Sequence, residues 1–445
     1  MEWLKLLDRQ RLSDAAYEEK ADRPSFVQDA DRITFSAPFR RLANKTQVHP
    51  LYENDHLHHR LIHSVETASV GRSLGIAVGD WLEKEHSLPA GEKHAVAGIV
   101  QAACLAHDIG NPPFGHSGEA AIGQWFSQKF AGETELFAAL DQTRRQEFEA
   151  FEGNAQGFRL ITKLEMYRNE GGMRLSRSVL AAFSKYPTTA HVRSVANQTH
   201  DYCGLKKFGI FESELDLFAD VASGVGLPEG GGNGLRWWRR HPLVFLVEAA
   251  DDICYNILDL EDAFTSGDFT QETVMEHLNA LAGKTNRDLS DRRPEEVIAY
   301  ARARSIGSAI DACVEAFKQN YDAIMAGTFS GSLVGASRQK AEFDKIKALA
   351  SQRLFTSRRK TELEVLGRNV VHQVLDGLEG VYRALMANGW KEADLDGYHK
   401  QLCRATGLDL RDVTDPYTAL HSLTDYVSGM TDRYAVKIAR LVSGT

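Results

Sequence analysis

Residues 104–119, CLAHDIGNPPFGHSGE, hold two histidines, an aspartate and a glutamate around a break at Gly110, Pro112 and Pro113. Neighbouring residues on an α-helix point about 100° apart, so His107 and Asp108 can share one ion only where a helix ends. The Gly-Pro break supplies that end. A third donor, His63, stands upstream among Leu61, Val65 and Leu74. Alone, such a histidine is more often a hydrogen-bonded core residue; beside the dyad it becomes a candidate ligand. The fourth donor is sought in EAADDICYNILDLEDA (248–263), where two aspartates sit inside an apolar run and burying both unpaired would be costly. Asp251 shares a helix face with Tyr255 and Asp259 at steps of four, which favours it over Asp252. Asp252 reads instead as a helix-helix hydrogen-bonding partner. The set His63, His107, Asp108 and Asp251 offers two nitrogens, two oxygens and no sulfur, and suits Mn, Mg, Fe, Co, Ni or Zn without choosing among them. Four protein ligands leave a six-coordinate ion room for water and a phosphate oxygen, which is the arrangement for metal-assisted phosphoester hydrolysis.

The elements that must carry these residues are helices. Apolar residues recur three or four apart over 59–82, 92–108, 241–264, 304–325 and 365–386. No convincing alternation marks a strand, so the expected fold is all-α. The charged run NRDLSDRRPEE (286–296) is taken as a boundary, giving a catalytic core with an N-terminal extension over 1–285 and a C-terminal helical region over 286–445. LPEGGGNG (227–234) is too glycine-rich for regular structure, and no lysine or serine follows it at P-loop spacing.

The chain has 445 residues, 43% hydrophobic and 25% charged, enough apolar material for a core without staples. Its cysteines are scattered, odd in number and form no CxxC pair, which argues against disulfides and cysteine-bound zinc and for a reducing cytoplasm. The N-terminus lacks the uninterrupted apolar core of a secretory signal. Apolar stretches such as 95–106 and 243–250 fall short of the roughly 20 residues needed to cross a bilayer, so no membrane role is expected. A net charge of −9 argues mildly against a general nucleic-acid protein. The cluster Trp237, Trp238, Arg239 and Arg240 has the aromatic and basic character of a single-strand platform, yet it immediately precedes a buried helix and reads as core or subunit contact.

RLIHS (60–64), LAHDIGNPPFGHSGE (105–119), FEGNAQGFRLI (151–161) and EAADDICYNILDLEDAF (248–264) together resemble the HD-domain phosphohydrolases, and among them the bacterial deoxyguanosinetriphosphate triphosphohydrolase-like family. The resemblance runs from FRRLANKTQVHP (39–50) to residue 264, and the C-terminal region is similar to the family's associated helical domain. It implies an HD-domain helical core with an added C-terminal helical region. It also implies cleavage of a deoxynucleoside triphosphate (dNTP) between the α-phosphate and the 5′ oxygen, with dGTP as one candidate substrate.

Several residues acquire roles from the resemblance. His116 matches the catalytic histidine and Glu119 the carboxylate that holds it. A histidinium could supply the proton that a poor alkoxide leaving group needs; the alternatives are that His116 caps a helix or binds the ion. Arg60 matches a phosphate-contacting arginine, or else makes a surface ion pair. Gln47 matches a glutamine near the sugar. Tyr255 and Asp259 match residues that pack against the deoxyribose and bind its 3′-hydroxyl, with the Tyr255 ring leaving no room for a 2′-hydroxyl; a core tyrosine is the alternative. Asn111 after HDIG, without the extra histidines of binuclear relatives, points to one divalent ion per site. Lys206 and Lys207 either touch the outer phosphates or sit in a solvated loop, and His49, His56, His58 and His59 receive no role. Members of the family form homo-oligomers, often hexamers, and some bind dNTPs or single-stranded nucleic acid at allosteric sites; no residue here is assigned to either. Two rivals stay open: an HD-type hydrolase for another phosphoester, and a regulatory dNTP-binding or single-strand-binding protein with little turnover.

Overall fold

The computed structural model describes residues 1–445 apart from 15, 46–58, 133, 134, 169, 197–199, 233, 354–357 and 445. Among the described residues the fold is all-α, as expected: no strand forms, only isolated bridges such as Glu229 with Trp238. The helices that position the site are α1 (Arg60–Glu85), α2 (Lys93–Ala106), α3 (His116–Ala131), α4 (Gly153–Arg159), α5 (Arg177–Phe183) and α6 (Val244–Thr265). They are followed by α7 (Pro294–Gln319), α8 (Arg358–Ala387), α9 (Pro416–Ser428) and α10 (Asp432–Ser443). The predicted helix over 304–325 differs in register: α7 begins at Pro294, with Glu295 and Glu296 in its first turn, and stops at Gln319. Proline at the first helical position lacks only an N–H that would go unpaired, and the two carboxylates favour the helix N-terminus. The charged run over 286–296 therefore ends as a helix start.

Two hydrophobic cores form. The first gathers Leu74 and Val78 of α1, Val96 and Val100 of α2, Ile253 and Ile257 of α6 and Ile298 and Phe317 of α7. The second gathers Ile122 and Phe126 of α3, Val374 and Leu378 of α8, Leu420 of α9 and Ile438 of α10. Ile109 belongs to the first core and Phe114 to the second, so the chain crosses between them within residues 109–114. The two cores meet at the site.

Trp237 and Trp238 are 1% and 3% exposed and lie in the first core. Arg240 is buried, with Nη1 donating to Glu248 Oε2 at 3.1 Å, and Arg239 lies over the Tyr202 and Trp237 rings. The aromatic-basic cluster is interior packing, which removes the main support for a single-strand platform. No described helix is long and apolar enough to cross a membrane.

Candidate active site

The four predicted ligands come from three elements. His63 lies within the first turns of α1, His107 and Asp108 follow the last turn of α2, and Asp251 sits inside α6. Ligand atoms of His63, His107 and Asp108 lie within 4.8 Å of one another. Asp251 Oδ1 is 3.1 Å from His63 Nε2 and 3.6 Å from His107 Nε2, and Asp108 Oδ1 is also 3.6 Å from His107 Nε2. His107 Nδ1 donates to the Cys104 carbonyl at 2.6 Å, which leaves Nε2 as the ring nitrogen that faces the carboxylates. That Nε2 is buried and makes no hydrogen bond. A bare imidazole nitrogen facing two carboxylates fits a divalent cation.

The electrostatics agree. Burial alone would raise the Asp251 carboxyl, but His107, His63 and Lys185 hold it well below the usual carboxylate range. At Asp108 burial is again overridden, first by the Arg60 guanidinium, whose Nη1 donates to Asp108 Oδ2 at 2.6 Å. Burial would lower His107, yet Asp108 and Asp251 bring it up to about 9. The field that draws a proton to this imidazole draws a cation as well, and binding a cation would displace that proton.

Next to the quartet the chain makes a constrained turn. A Cβ at Gly110 would lie 2.1 Å from both the Gly153 carbonyl oxygen and the Gly157 nitrogen, so HDIG and EGNAQG are two sides of one backbone contact between the turn and α4. Phe114 and Gly115 both adopt left-handed φ, 63° and 58°. Gly115 is required twice over, because Arg60 Nη2 lies 2.6 Å from where its Cβ would be. The turn delivers His116 as the first residue of α3 and places it in the cavity wall. Desolvation, then the positive charges of Lys207 and Arg60, lower the His116 pKa. Glu119 is buried one turn further on, and its Oε1 accepts the Gly153 N–H at 2.7 Å. Its recorded partner is thus the start of α4, with no hydrogen bond to His116.

A cavity of ≈ 370 Å³ opens over these groups. Arg60, Tyr255 and Lys207 line it, whereas Lys206 does not, and Asp259 lies one turn beyond Tyr255, buried and outside the lining. Gln47 falls outside the described residues, as do His49, His56 and His58; His59 caps α1, its Nδ1 accepting the Ile62 N–H at 3.4 Å. Asp252 also lines the cavity and pairs with Lys347, 3.3 Å distant. The sequence reading missed Lys185, whose Nζ is 3.5 Å from Asp251 Oδ2 and 3.9 Å from Glu248 Oε1. A lysine directly after the apolar end of α5, in SKYP, was the available signal. It also missed Glu364, which reaches the cavity from α8. Three cations, Arg60, Lys185 and Lys207, therefore share a cavity with the quartet and His116.

Residues 60–217 match the HD domain and residues 334–440 the phosphohydrolase-associated domain. Over its whole length the chain is 38% identical to a deoxyguanosinetriphosphate triphosphohydrolase-like protein of Synechocystis sp., covering 99% of that protein. It is 40% identical to a protein of the same description from Pseudomonas aeruginosa, again over 100% of the chain and 99% of the relative. A Yersinia enterocolitica protein described as deoxyguanosinetriphosphate triphosphohydrolase is 28% identical over 92% of each chain. The chain belongs to the deoxyguanosinetriphosphate triphosphohydrolase-like family of HD-domain phosphohydrolases.

Proposed function

We propose that this member of the family hydrolyses a dNTP to the deoxynucleoside and inorganic triphosphate, using one divalent ion held by His63, His107, Asp108 and Asp251. The observation that carries the reading is the single cavity in which that quartet, three cations and His116 face one another. When bound, the ion supplies Lewis-acid polarisation of the phosphate and a more acidic water. Arg60, Lys185 and Lys207 meet the charge of the triphosphate, Arg60 with a planar fork suited to two phosphate oxygens and the lysines as point charges.

His116 donates the proton to the departing 5′ oxygen. In the free protein burial, and after it the charges of Lys207 and Arg60, hold its pKa down, and an anionic substrate would offset those two charges and favour its protonation. Glu119 supports the imidazole indirectly, by tying the first N–H of α4 to the first turn of α3. Tyr255 closes the sugar end of the cavity and Asp259 backs it. Replacing Tyr255 with alanine should let GTP be hydrolysed, whereas a variant that keeps dNTP turnover and still rejects GTP removes Tyr255 from sugar selection.

The experiment is turnover of the four dNTPs, singly and mixed, with Mn or Mg, resolving products by chromatography. Mixtures matter because relatives that respond to an activating nucleotide would be silent on one substrate alone. Deoxynucleoside in equal amount with intact triphosphate is the expected result, with dGTP the first base to rank. Monophosphate with pyrophosphate, orthophosphate, or no turnover with either metal overturns the proposal.

A further inference from the structure

The turn that presents His116 is strained, and the groups that hold it come from the far end of the chain. A bulky residue keeps a left-handed φ only where its surroundings over-determine it. For Phe114 they do. Its N–H donates to Asp432 Oδ1 at 3.0 Å, a side chain at the first residue of α10. Its ring packs on α8 at Gly367, where a Cβ would come within 2.7 Å of Phe114 Cγ. Just upstream, Lys45 Nζ donates to the Asn111 carbonyl at 2.6 Å and to the Ser428 carbonyl, at the end of α9, at 2.8 Å. Both Lys45 and Asp432 are buried. Helices α8 and α10 thus touch the stretch between the His107–Asp108 dyad and His116 directly, and α9 is tied to it through Lys45.

We infer that Asp432 is a positioning residue for His116: by accepting the Phe114 amide it fixes the turn from which the imidazole enters the cavity. The C-terminal helices are then part of the catalytic apparatus without touching the reacting atoms. This rests on the reading of His116 as the catalytic histidine. A competing account gives Asp432 a purely structural role, as counter-charge to the buried cations Lys45 and Arg60 that it faces.

Asparagine separates the two, because it keeps an oxygen for the Phe114 amide and loses the charge. The full-length protein is assayed as wild type, Asp432→Ala and Asp432→Asn, with Mn and a dNTP that the wild type hydrolyses. Metal content is measured in parallel, together with hydrogen exchange of the peptide spanning 110–118 in the absence of nucleotide. Small misplacements of a catalytic group cost rate more than binding, so Asp432→Ala should lower kcat by about 10–100-fold and change KM by less than about 3-fold. Its metal content should be unchanged and its 110–118 peptide should exchange faster. Asp432→Asn should melt lower than the wild type yet keep kcat within about 3-fold of it, a rescue that counter-charge alone does not give.

The inference is overturned if Asp432→Ala retains wild-type kcat, or if Asp432→Asn is as slow as Asp432→Ala. Should the alanine variant not fold, a fall of more than about 10-fold in the asparagine variant overturns it as well. If the wild type hydrolyses no dNTP, the proposed function fails by itself. The exchange experiment still judges Asp432, and unchanged exchange in Asp432→Ala overturns the inference.

Discussion

The first core delivers His63 on α1, His107 and Asp108 just after α2 and Asp251 on α6, whereas the second delivers His116 on a strained turn at the head of α3. The difference lies in what fixes each group. His63 and Asp251 project from helix interiors, where surrounding turns and close packing set their directions. The position of His116 depends on a left-handed Phe114–Gly115 turn whose Phe114 N–H is held by Asp432 and whose upstream Asn111 carbonyl is held by Lys45, groups drawn from opposite ends of the sequence. The proposed ion site and the proposed proton donor rest on different cores and should fail separately, and the comparison can be tested on that point.

The largest effect is expected from the quartet. Asp251→Ala removes the carboxylate shared by His63 and His107 and takes the nearest counter-charge from Lys185. Even groups one step removed from a metal cost about 10–100-fold when lost, so turnover should fall to background and bound metal should disappear together with it. Elemental analysis beside a turnover assay checks both, and a variant that still retains a full equivalent of metal would take Asp251 out of the ligand set. His116→Ala should do less and do it differently: about 10²–10⁴-fold lower kcat, the range of a lost general acid, with metal content intact. Loss of metal in that variant would break the comparison, because the two cores would then not be separable.

The same division explains what the sequence could tell. That His63, His107, Asp108 and Asp251 come together was legible because ligand chemistry narrows residue types and helix geometry narrows spacing. Each needed only its own local stretch. Lys185 was not, since one lysine after an apolar helix looks the same whether it faces solvent or a carboxylate. The helices themselves were visible from periodicity, but periodicity does not say which helix packs on which. Trp125 of α3 donates to Asp376 of α8 across 251 positions, at 2.9 Å, and nothing local announces that pairing. For the same reason α7 could be read as C-terminal material although Ile298 and Phe317 complete the first core. The role of Phe114 was hidden more deeply, because a left-handed φ at a non-glycine residue has no signature in composition or spacing.

The smallest effect concerns stability and belongs to the second core alone. Glu147 is fully buried there; its Oε1 accepts the Tyr417 hydroxyl at 2.6 Å and its Oε2 the Glu212 N–H at 2.8 Å, with His421 Nε2 3.2 Å away. Burial pushes the carboxyl up to about 8, against the pull of the Tyr417 hydrogen bond. An acid whose folded pKa lies above its unfolded value of about 4.3 stabilises the folded state most when both are protonated. That contribution is full at low pH and is lost as the pH rises through about 8. Thermal unfolding followed from pH 5 to pH 9 should therefore show a decline toward the alkaline end, and Glu147→Gln, which stays neutral throughout, should flatten it. Hydrogen exchange in helix Gln142–Glu149 and in α9 should quicken over the same interval, while exchange around His63 and Asp251 holds steady. An unchanged decline in the glutamine variant would place the alkaline weakness elsewhere, and exchange that quickens equally around His63 and Asp251 would mean that the two cores open as one unit.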